Sequence, residues 1–205
     1  FAEARTANGR VTFNAAGERD LARCNLWLRT ADRVLVELAE FPAPDADGLF
    51  EGVRAIPWAD FLPANPRVTV TAALRESALA SSSASQAAVK KAIVETLKRR
   101  HGQSWIEETG APYAVALHLE QDHAVITLDS TGEGLHRRGY RLQAGEAPLR
   151  ETLAAALVRL SRWSPPRPLA DPCCGSGTIA IEAALEATRT APGLLRSFAA
   201  EAWAR

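Results

Sequence analysis

Hydrophobic positions recur along this chain with two periods. Val68, Val70 and Ala72 alternate with Thr69 and Thr71, and Val115, Leu117 and Leu119 alternate with Ala116 and His118. A period of two puts one set of side chains on one face, so both runs predict half-buried strands. The second run is one arm of a hairpin, 112–120 with 123–129, turning at Gln121-Asp122 without the usual glycine. His118 reads as an exposed strand residue rather than a ligand. Val89, Ile93 and Leu97 recur every four residues and predict a helix over 86–100, preceded by a serine-rich loop able to cap it. Upstream, the pattern predicts a strand at 10–14, a helix at 18–30, a strand at 33–39 and a helix at 47–55 capped by Asp45 or Asp47. Pro57, Pro63 and Pro66 then break the chain. Downstream, a helix over 148–163 is expected to bury Leu149, Leu153, Ala156, Leu157 and Leu160, and 164–168 ends it.

Composition narrows the class. With 205 residues, 47% of them hydrophobic, the chain can bury a globular core in one or two domains. Its formal net charge is zero, so nucleic-acid binding must come from a local patch. No apolar run approaches the ~20 residues that span a bilayer, which argues against a membrane partner. Cys24, Cys173 and Cys174 suit a reducing cytoplasm, and the adjacent pair lacks zinc-site spacing, so no metal is inferred.

The densest motif is Asp171-Pro-Cys-Cys-Gly-Ser-Gly-Thr178. It reads as a strand end at 168–171, a tight glycine loop and a helix over 177–188. Gly175 and Gly177 permit a sharp turn and close ligand approach, and the helix start offers amide donors and a positive dipole end. Gly175-Ser-Gly177-Thr-Ile-Ala180 also fits the dinucleotide pattern G-x-G-x-x-A. An acid at Asp171 would repel a pyrophosphate but suits a cationic ligand such as S-adenosylmethionine, with its sulfonium and ammonium. An NAD-linked oxidoreductase and a generic strand–turn–helix remain as alternatives.

Residues 171–185 resemble the cofactor motif of the THUMP-containing RNA guanine-N2 methyltransferases. The resemblance continues in Leu135-His-Arg-Arg-Gly-Tyr-Arg141, in 147–157, in 191–194 and in 198–203, and it is nearest to the bacterial branch acting on large-subunit ribosomal RNA. It implies an α/β chain: a partial ferredoxin-like unit at 1–65, a THUMP RNA-binding domain at 66–134, a linker at 135–147, and the start of a Rossmann-like methyltransferase domain at 148–205. The implied cofactor is S-adenosyl-L-methionine, held by Asp171, Pro172, Cys173, Gly175, Ser176, Gly177 and Thr178, with Ala147, Leu149 and Thr152 as secondary candidates. The implied partner is structured RNA, ribosomal before transfer RNA.

Two basic stretches are the candidate RNA contacts. Lys90, Lys91, Lys98, Arg99 and Arg100 lie off the buried stripe of the 86–100 helix, and His136, Arg137, Arg138, Tyr140 and Arg141 cluster in seven residues. Arginine pairs bidentately with phosphate and tyrosine stacks on bases. The competing readings are a solvated helix face and a linker tied down by salt bridges. The family's Asn-Pro-Pro-Tyr tetrad, which holds the target base, does not occur here, and neither does the ribose-binding acid of a following strand. No residue is therefore named as catalytic, and the chain reads as a piece of a longer enzyme. A pure RNA-binding module is the other alternative.

Overall fold

A computed structural model of the chain describes residues 2–7, 9–141 and 148–203. The chain divides into two compact units, Leu35–Gly132 with Phe198–Arg205, and Phe1–Val34 with Glu133–Ser197.

The first of these is a four-stranded sheet carrying helices. Its strands are β3 (Leu35–Pro42), β4 (Arg67–Arg75), β5 (Pro112–Glu120) and β6 (His123–Asp129), in the order β3-β6-β5-β4. β4 and β5 run parallel, joined by the crossover helix α3 (Ser82–His101), and the other two pairings are antiparallel. Alternation sets the register: Tyr113, Val115, Leu117 and Leu119 of β5 are buried while the residues between them are not. Against this face lie Val89, Ala92, Ile93 and Leu97 of α3 and Leu49 and Val53 of α2 (Ala46–Ala55). Asp45 caps α2 through the Gly48 amide and Ser81 caps α3 through the Ala84 amide. The hairpin turn places Gln121 and Asp122 at φ +50° and +59°. Asp122 offsets that strain by accepting from Ser77 Oγ and the Ala78 amide and, through its carbonyl, from the Ala43 amide. Residues 198–203 close the unit. The Ala200 amide donates to the Ser130 carbonyl, and the Trp203 ring stacks on Tyr113 with centroids 5.8 Å apart.

Two boundaries differ from the sequence reading. β3 and α2, assigned above to an N-terminal domain ending at 65, belong to the four-stranded sheet, because β3 pairs along its length with β6. Residues 198–203, assigned to the methyltransferase part, also join this unit. Neither fact is readable locally, since both depend on pairings across many residues. His118 is half-buried rather than exposed.

The second unit holds a β1–β2 hairpin (Ala2–Ala7, Arg10–Asn14), α1 (Glu18–Trp27), the segment 133–141, α4 (Glu151–Leu160) and α5 (Thr178–Ala187). α4 packs on α5, and the apolar residues that α4 buries are Ala154, Ala155 and Val158. The leucine face expected to be buried is not: Leu153, Leu157 and Leu160 are 51%, 42% and 77% exposed. Polar contacts decide the rotation. Thr152 Oγ1 donates to Asp32 Oδ1 (3.0 Å) and Glu151 pairs with Arg141, which turns the leucines outward.

Residues 168–171, expected as a strand end, form no strand. A strand is a paired element, and no strand among the described residues lies beside this stretch.

Candidate functional site

The glycine loop has the geometry its motif requires. Gly175 (φ +51°) and Gly177 (φ +75°) both occupy the left-handed region, where a side chain would crowd the backbone. A β-carbon built at either would meet no heavy atom within 4 Å, so the space over the turn is open to a ligand. Asp171 Oδ1 accepts from the Cys173 amide (3.2 Å), and the Gly177 amide donates to the Cys174 carbonyl (2.7 Å). These two turns carry the chain into α5, whose first turn directs amide donors toward the loop. Cys173, Cys174 and Ser176 are exposed, whereas Thr178 is buried.

α5 is held by three arginines. At its start, the Arg141 guanidinium donates to Thr178 Oγ1 (2.7 Å) and to the Leu149 carbonyl (3.2 Å), and it pairs with Glu151 (3.4 Å). At its middle, Glu182 is 1% exposed, and its Oε1 receives Arg138 Nε (3.4 Å) and the Tyr140 hydroxyl (3.1 Å). At its end, Arg29 pairs with Glu186 (2.8 Å) and donates to the Leu185 and Thr190 carbonyls. A cation suits that position, where a helix presents unpaired carbonyls. Burial pushes the Glu182 carboxyl above its ordinary range, with Arg138 opposing the shift. Burial first, then the charge of Glu182, raises the Tyr140 phenol.

This arrangement engages part of the expected RNA surface within the protein. Arg138 is 2% exposed and its donors are spent on Glu182 and on the carbonyls of Leu28, Arg29 and Leu135, so it does not face a phosphate. Arg141 and Tyr140 are likewise engaged with the frame around α5 rather than presented to solvent. Of this segment, Arg137 is exposed, with an ion pair to Glu133, and His136 is half-buried. Arg29 and Glu182 were not singled out in the sequence. Glu182 lies four residues after Thr178, on one face of the same helix, and that spacing was the available signal.

The secondary cofactor candidates separate. Leu149 comes to the loop through Arg141, which bridges its carbonyl to Thr178. Thr152 is buried with its hydroxyl engaged by Asp32, and Ala147 lies outside the described residues. On α3 the cations also sort. Lys90 pairs with Glu108 (2.7 Å), and Lys91 lies over the Phe50 ring with Glu95 nearby. Arg99 and Arg100 are exposed and line an open groove of about 410 Å³ with Pro57, Trp58, Asp60 and Thr96. No helix among the described residues is long and apolar enough to cross a membrane.

Three family descriptions match in succession along the chain: an RlmL ferredoxin-like domain over 1–35, a THUMP domain over 43–129, and an RMKL-like methyltransferase domain over 138–205. Together they give the chain the domain content of a THUMP-containing methyltransferase. YpsC of Bacillus subtilis (strain 168), named as a candidate RNA methyltransferase, is 53% identical over 98% of this chain and 52% of its own length. The ribosomal RNA large subunit methyltransferase K/L of Syntrophotalea carbinolica is 41% identical over 86% of this chain and 25% of its own. Among solved structures, the methyltransferase-like SMU.472, complexed with SAH, superposes with a TM-score of 0.91 at 40% identity, covering 98% of this chain and 53% of that one. A Listeria monocytogenes protein, named for N6-adenine DNA methylation, gives 0.86 at 48% identity, covering 89% and 48%. The chain thus spans about half the length of YpsC and of both solved proteins.

Proposed function

We propose that this chain is the RNA-holding and cofactor-loop portion of an S-adenosylmethionine-dependent RNA methyltransferase acting on guanine N2 in large-subunit ribosomal RNA. The observation that carries the reading is the loop from Asp171 to Thr178: two glycines at positive φ, open space above them, and a helix start aimed into that space. Gly175 and Gly177 would let the cofactor approach the backbone, and the α5 amides would orient its polar groups. Asp171 would add negative charge beside a cationic ligand. Arg141 ties Thr178, at the start of α5, to the Leu149 carbonyl and to Glu151. When bound, the cofactor supplies an electrophilic methyl group; the protein's task is to hold an unpaired guanine amine in line with it.

The THUMP match and the K/L relative favour RNA, and ribosomal RNA within it, whereas the Listeria name points to adenine N6 in DNA. Nucleoside mass spectrometry after methyl transfer by the full-length enzyme separates these readings. N2-methylguanosine formed on a 23S ribosomal RNA transcript is expected, and N6-methyladenine in DNA would overturn the assignment. In equilibrium dialysis S-adenosylhomocysteine is expected to bind and NAD not. Gly177→Val should abolish that binding, because a branched side chain at φ +75° distorts the turn. Unchanged affinity in a folded variant would remove the loop from the site.

A further inference from the structure

We propose that Trp105 is a stacking platform for an unpaired RNA base, set at the cationic end of α3 that carries Lys98, Arg99 and Arg100. The indole is 73% exposed, in a unit whose core is otherwise filled and whose other tryptophans, Trp58 and Trp203, are turned inward. Its placement is built rather than incidental. Gly102, at φ +65°, reverses the chain after α3, and the amides of Gly102 and Gln103 both donate to the Lys98 carbonyl. Ile106, the next residue after Trp105, is 5% exposed and packs in the core, so the backbone beneath the indole is anchored. The reversal brings Lys98 Nζ over the ring, 5.5 Å from its centroid. A cation there reinforces the ring's position without burying it.

The neighbouring charges point to the partner. Among the described residues no carboxylate pairs with Lys98, Arg99 or Arg100, in contrast to Lys90 and Lys91 earlier on the helix. In a chain of zero net charge, three cations without an ion pair gather positive charge at this helix end: Lys98 over the indole, and Arg99 and Arg100 along the groove they share with Asp60. A cationic helix end that also carries an exposed aromatic face matches the two repeating parts of a single strand, phosphate and flat base. A duplex hides its base faces in its own stack, so the ligand is an unpaired nucleotide in a loop or at an end.

The inference rests on the reading that the partner is RNA. Its test compares two probes on the full-length protein: an RNA hairpin with a single-stranded 3′ extension, and the same hairpin blunt-ended. Trp105→Ala should weaken binding of the extended hairpin about tenfold, as expected for one lost stacked base, and leave the blunt one nearly unchanged. Trp105→Phe should recover most of the loss. The salt slope should stay the same in both variants and flatten only in Arg99→Ala/Arg100→Ala. If the wild type binds neither hairpin, the RNA reading itself fails. If it binds both and Trp105→Ala changes neither, or weakens both equally, the platform is wrong. A shift in sedimentation on Trp105→Ala would instead assign the indole to contact with a second copy and also overturn the proposal. Because the side chain is exposed, the thermal midpoint of Trp105→Ala should match the wild type, and that measurement separates misfolding from lost binding.

Discussion

In the unit built on β3 to β6, the fully enclosed side chains are Trp58, Tyr113, Leu49, Ile93, Leu97 and their apolar neighbours. In the unit that holds the glycine loop, the enclosed residues include Asn25, Arg29, Arg138, Glu151, Thr178 and Glu182. The first is held by apolar burial, which is non-directional and tolerant of detail. The second is held by charged groups that must each find a partner, because an unpaired buried charge is costly. Ion pairs of this kind fix orientation rather than supply bulk stability. The start, middle and end of α5 are each set by a separate arginine, and the loop that opens α5 inherits that position.

The contrast is broken most directly by deleting one partner from each unit. Arg138→Ala leaves Glu182 buried without its cation and should cost about 3–5 kcal/mol. Ile93→Ala removes a fully buried aliphatic chain from the other unit and should cost about 2–5 kcal/mol through lost contacts and a cavity. Urea denaturation would give both values, with hydrogen exchange locating the loosened segments. A cost below about 1 kcal/mol for Arg138→Ala would mean that the frame is not what holds α5.

A smaller effect sharpens the functional side of the comparison. Arg141→Ala removes the donor to Thr178 and should weaken S-adenosylhomocysteine binding by about 1.5–3 kcal/mol in the full-length enzyme. KM for the cofactor should rise with kcat nearly unchanged. RNA affinity and its salt slope should not move, since Arg141 is committed to the frame. A flattened salt slope would return this residue to the RNA surface. Arg137→Ala, on an exposed side chain, should show the reverse pattern, with stability within about 0.5 kcal/mol of wild type.

The subtlest effect is on pH dependence. Burial raises the Glu182 carboxyl in the folded protein above its unfolded value. The folded state therefore holds a proton that the unfolded state has already released. The corresponding stability is fully present below the unfolded carboxylate range and is lost as pH rises through the raised folded value. Glu182→Gln should remove that contribution, so stability measured by denaturation across this interval should fall less with pH than in the wild type. An unchanged slope would show that Arg138 keeps the carboxylate ionised throughout.

Periodicity alone determined the hairpin 112–120/123–129, the strand from Arg67 and the buried stripe of α3, because each is a local pattern facing one apolar layer. The turn at Gln121-Asp122 was legible for the same reason: only one short link joins two alternating runs. The glycine loop was legible as a motif, since its residue types are dictated by positive φ and open space at Gly175 and Gly177. Only tertiary structure decided which domain β3 and α2 serve, because strand pairing is made with residues far along the chain. It also decided the fate of the basic segment 135–141. An arginine is written identically whether it faces a phosphate or a buried glutamate, and burial of Glu182 is what drew Arg138 inward. The rotation of α4 was hidden for a related reason. Its leucines form the more apolar stripe, but the paired contacts of Glu151 with Arg141 and Thr152 with Asp32 are directional, and they outweighed a face that has no layer among the described residues to cover it.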